Sequence, residues 1–224
     1  MQQAMTDLYI RTFSFWEHLQ DEEKNLLSRA TALRHYTAGK EVYQSGDCLG
    51  VMLVKKGQLR AYVLSEDGRE VTLYRLFPGD VGILSASCAL QAVTFEVFVV
   101  AEEDTEVLVT SSAAFRQVAD ANIYVKCFGY EISSSRLSSM LWTLQQILFW
   151  SADKRLAMFL LEESGRQKTE QLKLTHEQIA RYMGSAREVV SRLMRYFVQE
   201  GMVRQGRGYV YLEDKEKLRE LAEG

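Results

Sequence analysis

The stretch from Leu174 to Gly201 constrains the fold most, because two helix beginnings lie within one short span of it. Thr175 with Gln178, and Ser185 with Glu188, each have capping-box spacing. In that arrangement a hydroxyl and a second polar side chain satisfy the backbone N–H groups that a helix start leaves free. Gly184 between them supplies the backbone freedom of a sharp helix–helix connection. The first helix is predicted to bury Ile179, Ala180 and Met183. The second carries Val190, Leu193, Met194, Phe197 and Val198 on one side at helical spacing. Arg187, Glu188, Ser191, Arg192 and Arg195 share its other side, and Gly201 stands where a helix-ending glycine belongs. The pattern predicts a helix-turn-helix with a charged, outward face.

The chemistry of that face suits DNA. A helix fits the major groove, Arg donates two hydrogen bonds to guanine O6 and N7, and Glu accepts one from cytosine N4. A carboxylate facing polyphosphate is repelled unless a base amino group or an Arg meets it, so Glu188 among arginines is informative. The bland alternative is a solvated face with an i, i+4 ion pair from Glu188 to Arg192. Downstream, Met202-Val203 and Tyr209-Val210-Tyr211-Leu212 flank the basic, Gly-rich run Arg204-Gln205-Gly206-Arg207-Gly208, which predicts a hairpin beside the helices, a wing. From Arg181 to Arg207 there are six Arg against two Glu, the local positive charge that phosphate contacts need.

The run Gly184-Ser185-Ala186-Arg187-Glu188-Val189-Val190-Ser191-Arg192-Leu193 resembles the recognition segment of the Crp/Fnr family of bacterial transcription regulators. The resemblance implies that Arg187, Glu188 and Arg192 touch base edges, with Ser191 at a position that the Fnr-like branch uses. The candidate DNA-binding residues are Thr175, Ser185, Arg187, Glu188, Ser191, Arg192, Arg195 and Arg207. The implied architecture is α+β: an N-terminal double-stranded β-helix like the cyclic-nucleotide-binding β-roll, a long dimerisation helix and a C-terminal winged helix-turn-helix. The implied partners are double-stranded DNA carrying an inverted repeat and a second copy of the chain, with RNA polymerase a candidate.

Net charge over the 224 residues is −3, which at first argues against nucleic acid. Residues 1–150 hold 13 Lys+Arg and 18 Asp+Glu, whereas 151–224 hold 14 and 12. An acidic front and a basic back fit a sensor joined to a DNA binder. Apolar residues make up 47%, as in globular proteins. No leader and no apolar run of membrane-spanning length is read, so a cytoplasmic protein away from the membrane is expected. Cys48, Cys88 and Cys127 are odd in number and widely spaced, without a CxxC or Cys/His cluster. No metal site is expected from them, nor the iron–sulfur cluster of some Fnr-like members, and thiols in a reducing compartment suffice.

Residues 6–30 have a helical pattern anchored by Phe13, Phe15, Trp16, Leu19, Leu26 and Leu27. From Leu33 to Thr110, β-rich runs alternate with glycine turns about every ten residues, predicting a barrel or sandwich. Helix returns from about Ala113 to Phe149, with a break near Asp120-Ala121-Asn122. There Ile123, Cys127, Tyr130, Ser134, Leu137, Leu141, Leu144 and Leu148 step alternately by four and three, the seam of a helix that pairs with itself. The alternative is a helix packed on its own barrel. Ser151 is placed as N-cap of a linking helix with Leu156, Phe159, Leu160 and Leu161, ending near Gly165 and followed by a polar connection to Leu172. A terminal helix runs from Asp214 to about Ala222. The expected domains are 1–112 (sensor), 113–150 (dimerisation) and 151–224 (DNA-binding).

Family members that bind cyclic nucleotides hold ribose with a Gly-Glu pair and phosphate with an Arg-Ser pair. Here Ile83 follows Gly82, and Thr94-Phe95-Glu96 occupies the later region. A phosphodiester wants a cation or several N–H donors, and a carboxylate opposes it. The effector is therefore expected to be something other than cyclic AMP. Candidate pocket residues are Leu84, Ser85, Cys88, Phe95, Phe98, Met140, Leu141 and Trp142, which could equally fill the barrel. Cys88 is also the candidate for a redox signal, against the simpler reading of a structural thiol. Haem is not expected, the histidines being His18, His35 and His176 alone. Two other classes compete: a nucleotide- or small-molecule-binding β-roll protein without a transcriptional role, and a cupin-type metalloenzyme, which would need clustered His ligands in the barrel. No catalytic constellation is recognised, so no enzyme is expected.

Overall fold

The computed structural model describes residues 8–43, 50–66, 68, 70–83 and 97–223, the side chains of Tyr43 and Ile83 excepted. The chain divides into two compact units, Met1–Leu64 with Leu73–Met140 and Ser65–Thr72 with Leu141–Gly224. No described helix is long and apolar enough to cross a membrane.

Among the described residues the first unit contains the strands β1 Thr31–Tyr36, β2 Glu41–Tyr43, β3 Val51–Lys56, β4 Leu59–Leu64, β6 Val81–Ile83, β7 Phe98–Ala101 and β8 Thr105–Thr110, and all of β5 Glu70–Leu76 but its first three residues. They form two four-stranded sheets, ordered β1-β8-β3-β6 and β2-β7-β4-β5. β8 is antiparallel to β1 and β3, and β7 to β2 and β4. This is the expected double-stranded β-roll. Residue alternation builds it: Met52, Val54, Leu59, Ala61, Val99, Ala101, Val107 and Val109 point between the sheets. Val51, Leu53, Val81 and Leu108 point the other way, into a cluster with Tyr9, Phe13, Phe15, Trp16, Phe115, Val118, Val125 and Phe128. β3 is thus buried on both faces over Val51–Val54, which is why it reads as an unbroken apolar run. At the β3–β4 turn Gly57 has φ +86°, and a Cβ there would lie 2.7 Å from the Thr105 Cα, so only glycine fits.

The predicted N-terminal helix is broken into a helical turn at 8–12, a 3₁₀ turn Trp16–His18 and helix α1 Asp21–Arg29. Its aromatic residues fill one cluster from three directions, Phe15 meeting both Phe115 and Phe128 edge-on. The Tyr9 hydroxyl bonds to Thr31 and Thr110 at 2.7 and 2.8 Å, and burial raises its pKa above the ordinary phenol value.

Helix α2 spans Ser112–Ala121, capped by Ser111, and α3 spans Ile123–Phe149. The expected break falls on Asn122, an extended residue whose amide donates to the His18 carbonyl at 3.1 Å and whose oxygen accepts from the Tyr124 N–H. On α3, Val125 and Phe128 are buried and Ile132 packs beside them. All eight seam residues lie off that stripe and are exposed, Leu137 at 57%, Leu141 at 55% and Leu148 at 62%. These eight residues therefore do not pack on the chain's own barrel.

The second unit contains α4 Ala152–Gln167, β9 Gln171–Leu172, α5 His176–Met183, α6 Arg187–Gln199, β10 Val203–Gly206, β11 Tyr209–Leu212 and α7 Lys215–Glu223. Leu156, Leu160, Leu172, Ile179, Val190, Met194, Phe197, Val210, Leu212 and Leu218 form its core. Two details differ from expectation. α4 continues past Gly165 to Gln167 and stops at Lys168, whose φ of +52° turns the chain. The connection read as merely polar then forms β9, the third strand of the sheet β10-β11-β9, because Leu172 is wanted in the core opposite Val210.

Candidate nucleic-acid interface

Helix α5 begins as its sequence dictates. The Thr175 hydroxyl accepts from the Gln178 N–H at 3.2 Å, and the Gln178 side chain accepts from the Thr175 N–H at 2.9 Å. The second capping box does not form. α6 starts one residue later than predicted, with Ala186 as its N-cap and no side-chain cap. Gly184 is left-handed (φ +58°), and the Ser185 N–H reaches back to the Ala180 carbonyl at 2.9 Å. Ser185 therefore closes α5, which moves the next helix start beyond it. The Arg155 guanidinium also caps α5, donating to the Met183 carbonyl at 3.0 Å. α6 ends as expected at Gly201 (φ +71°), with the Gly201 and Met202 N–H groups on the carbonyls of Val198 and Phe197 at 3.1 and 2.9 Å.

Burial fixes which side of α6 is outward. Val190, Met194 and Phe197 are fully buried and Leu193 packs against them, while Val198, predicted to join them, is 43% exposed. A helix presents one core stripe, and Val198 falls at its edge. Arg187, Glu188, Arg192 and Arg195 are exposed, Ser191 half-buried. Among the described residues no ion pair joins Glu188 to Arg192, and Arg187, Arg192 and Arg207 have no acidic partner. Arg195 donates to the Ser191 carbonyl at 3.4 Å. The positive charge counted from sequence is partly spent elsewhere: Arg181 pairs with Glu177 at 2.9 Å and Arg204 with Glu213 at 2.6 Å. The carboxylate of Glu213 pushes the Arg204 pKa up, and that of Glu170, accepting from the Tyr211 hydroxyl at 3.0 Å, pushes the Tyr211 pKa up.

The wing is a hairpin whose turn is Arg207-Gly208, tighter than the five-residue tip predicted, since Arg204–Gly206 belong to β10. Arg207 is exposed at that turn. Between wing and α5 lies a groove of about 390 Å³ lined by Thr175, His176, Glu177, Arg187, Gln205 and Tyr209, among others. A helix-turn-helix with three arginines and one carboxylate turned outward, beside a hairpin with a basic tip, has the charge and shape of a major-groove reader.

Known proteins agree. Residues 33–122 match the cyclic nucleotide-binding domain and 154–221 the Crp-like helix-turn-helix domain. A crystal structure of a Crp/Fnr-family transcriptional regulator from Eubacterium rectale is similar at TM-score 0.89 and 40% identity, over 96% of this chain and all of that one. The cyclic AMP receptor protein of Thermus thermophilus is 30% identical over 92% of this chain and 95% of its own length. The chain belongs to the Crp/Fnr family. The fumarate and nitrate reduction regulatory protein of Escherichia coli is 25% identical over 94% of this chain and 85% of its own. This Crp/Fnr protein is thus a DNA-binding transcription regulator with an effector-binding β-roll, and the relatives named are regulatory proteins.

On the effector side, Leu84, Ser85, Cys88 and Phe95 lie outside the described residues, as does Cys48. Phe98 does not enter the roll. Its neighbour Val99 takes the inward position, and Phe98 stacks on its cross-strand partner Tyr62 at 5.4 Å on the outer face. There Tyr62 also meets the buried Arg60 guanidinium, which pairs with Glu102. Met140 is half-buried in the first unit. Leu141 and Trp142 belong to the second and are exposed, Trp142 lying edge-on to Trp150 at 5.1 Å. Cys127 is a free, exposed thiol. Among the described residues no cluster of three or more His, Cys, Asp or Glu could hold a metal ion.

Sequence reasoning missed Arg136. It follows Val125, Phe128 and Ile132 on the roll-facing stripe of α3, donates to the Val81 carbonyl at 2.7 Å and lies 5.2 Å over the Tyr74 ring. A cation continuing an apolar stripe was the available signal.

Proposed function

We propose that this regulator works as a homodimer on an inverted-repeat DNA site, with Arg187, Glu188, Ser191 and Arg192 facing base edges. Thr175, Ser185, Arg195 and Arg207 then meet the backbone. The observation that carries the reading is the division of α6: its apolar stripe is consumed by the core, and its charged face is exposed without the intrahelical pair that would make it a mere solvated surface. Seam residues exposed along the whole of α3 support the homodimer, since an apolar row of that length wants a partner. A two-fold dimer places paired recognition helices on half-sites about one helical turn apart. Selection of duplexes from a random pool should return an inverted repeat. Recovery of unrelated sequences with equal affinity would overturn the reading.

Effector binding in the roll would act by shifting the population between arrangements of the two reading heads. The work is done where the DNA is, in the cytoplasm, with RNA polymerase as the downstream partner and no catalytic step of its own. The signal is an effector other than cyclic AMP, or a redox change in the roll, a reading supported by Ile83 after Gly82 and by Glu96 in the phosphate region. Cyclic AMP at 1000 times a typical dissociation constant would add about 4 kcal/mol to a protein that bound it. No rise in melting temperature with cyclic AMP is expected, and a rise of several degrees would refute this assignment.

A further inference from the structure

One contact inside the reading head goes beyond the exposed face. The first residue of α5, His176, places its ring Nδ1 3.0 Å from the Ser191 Oγ on α6. Both residues are half-buried, and Ser191 stands among Arg187, Glu188, Arg192 and Arg195 on the outward side. A free serine hydroxyl rotates and can give or accept a hydrogen bond, so it meets any base and discriminates poorly. A hydroxyl whose hydrogen is engaged shows one sense only.

We propose that His176 is a specificity-positioning residue that holds the Ser191 hydroxyl as a hydrogen-bond acceptor toward the major groove. This rests on the DNA-reading function proposed above. A neutral imidazole divides one hydrogen between its two nitrogens. Nδ1 is committed to Ser191. His176 lines the groove shared with Thr175, Arg187 and the wing, and among the described residues no protein atom bonds to its Nε2. A nitrogen that opens toward a polyanion carries the hydrogen, because phosphate oxygens only accept. With Nε2–H toward DNA, Nδ1 is a lone pair and takes the Ser191 hydrogen. The Ser191 oxygen then offers only lone pairs, which match the amino group of adenine or cytosine. His176 thereby links the sugar–phosphate backbone to the reading of one base pair.

The test uses the full-length protein and a duplex selected by it. Single base-pair changes first locate the pair whose preference Ser191→Ala removes. At that pair His176→Ala is expected to cut the preference roughly three- to tenfold, the range of one hydrogen bond. Beyond that, it should weaken all duplexes equally by its one backbone contact, and cause no further loss of preference in the Ser191→Ala background. A duplex with the deamino analogue of the contacted base should show the same loss with unsubstituted protein. His176→Phe retains the ring without its nitrogens and should reproduce the result where His176→Ala unfolds early. An unchanged preference, with or without uniform weakening on every duplex, or an additive loss of preference in the Ser191→Ala background would overturn the proposal. The unsubstituted protein's own preference for the selected duplex reports separately on the DNA-reading function.

Discussion

Leu141→Asp is expected to yield monomers at micromolar concentration while the chain stays folded. In the single chain Leu141 is 55% exposed, so a carboxylate there meets solvent and costs little, within about 0.5 kcal/mol. In the proposed dimer the same position lies in the seam. Burying the exposed part of Ile123, Tyr130, Leu137, Leu141, Leu144 and Leu148 on each protomer yields about 1 kcal/mol per side chain, against the entropy that association costs. Two-fold symmetry doubles every change, so two carboxylates enter one apolar seam without cations. An unpaired buried charge costs about 3–5 kcal/mol. The pair, about 6–10 kcal/mol in all, raises the dissociation constant by about 10⁴–10⁷-fold. Light scattering checks the mass, and thermal unfolding checks the chain. A second effect follows on DNA: a monomer loses the linkage that makes the second half-site contact intramolecular, worth about 10²–10⁴ in affinity. A substituted protein that remains dimeric would remove the seam from the account and leave its exposed leucines to another partner.

What the sequence conveyed and what it hid divide along the range of the interactions. The Thr175–Gln178 box, the left-handed Gly184 and the closing Gly201 are local, set by a side chain and the nearest turn of backbone, and all are found in place. The same local pattern misled at Ser185. Its backbone N–H is taken by Ala180, so the residue ends one helix instead of starting the next. Phe98 shows the limit for strands: one residue of register decides whether a side chain faces the roll interior, and Val99 holds that place. The pairing of β9 with β11 was hidden because two residues carry too short a pattern to distinguish strand from loop. Arg136 on Val81, Arg60 with Glu102 and His176 with Ser191 join residues distant in sequence, and composition or spacing says nothing about them. The period of the row on α3 was legible for the opposite reason: it is a property of one helix, and the exposure of all eight residues follows from the stripe that Val125 and Phe128 occupy instead.

Arg192→Ala and Arg207→Ala should fail in different ways, and the difference separates reading from holding. Arg192 is exposed on α6, has no acidic partner among the described residues, and is proposed to meet a base edge. A lost bidentate contact to guanine costs about 1–3 kcal/mol, and a homodimer loses it in both half-sites, so the selected site is expected to weaken by about 2–6 kcal/mol. The loss should vanish on duplexes changed at that base pair, which the unsubstituted protein already binds weakly. Arg207 stands at the turn of the wing, where a guanidinium is suited to a phosphate. Its removal should weaken all duplexes alike and lower the slope of log affinity against log salt by about one per protomer. Titrations at several salt concentrations, on the selected site and on a scrambled one, measure both quantities. Arg204 provides the internal comparison, because it is already paired with Glu213 at 2.6 Å and its replacement should move neither the base preference nor the salt slope as far. Equal losses from Arg192→Ala on selected and scrambled duplexes would demote α6 from reader to electrostatic clamp.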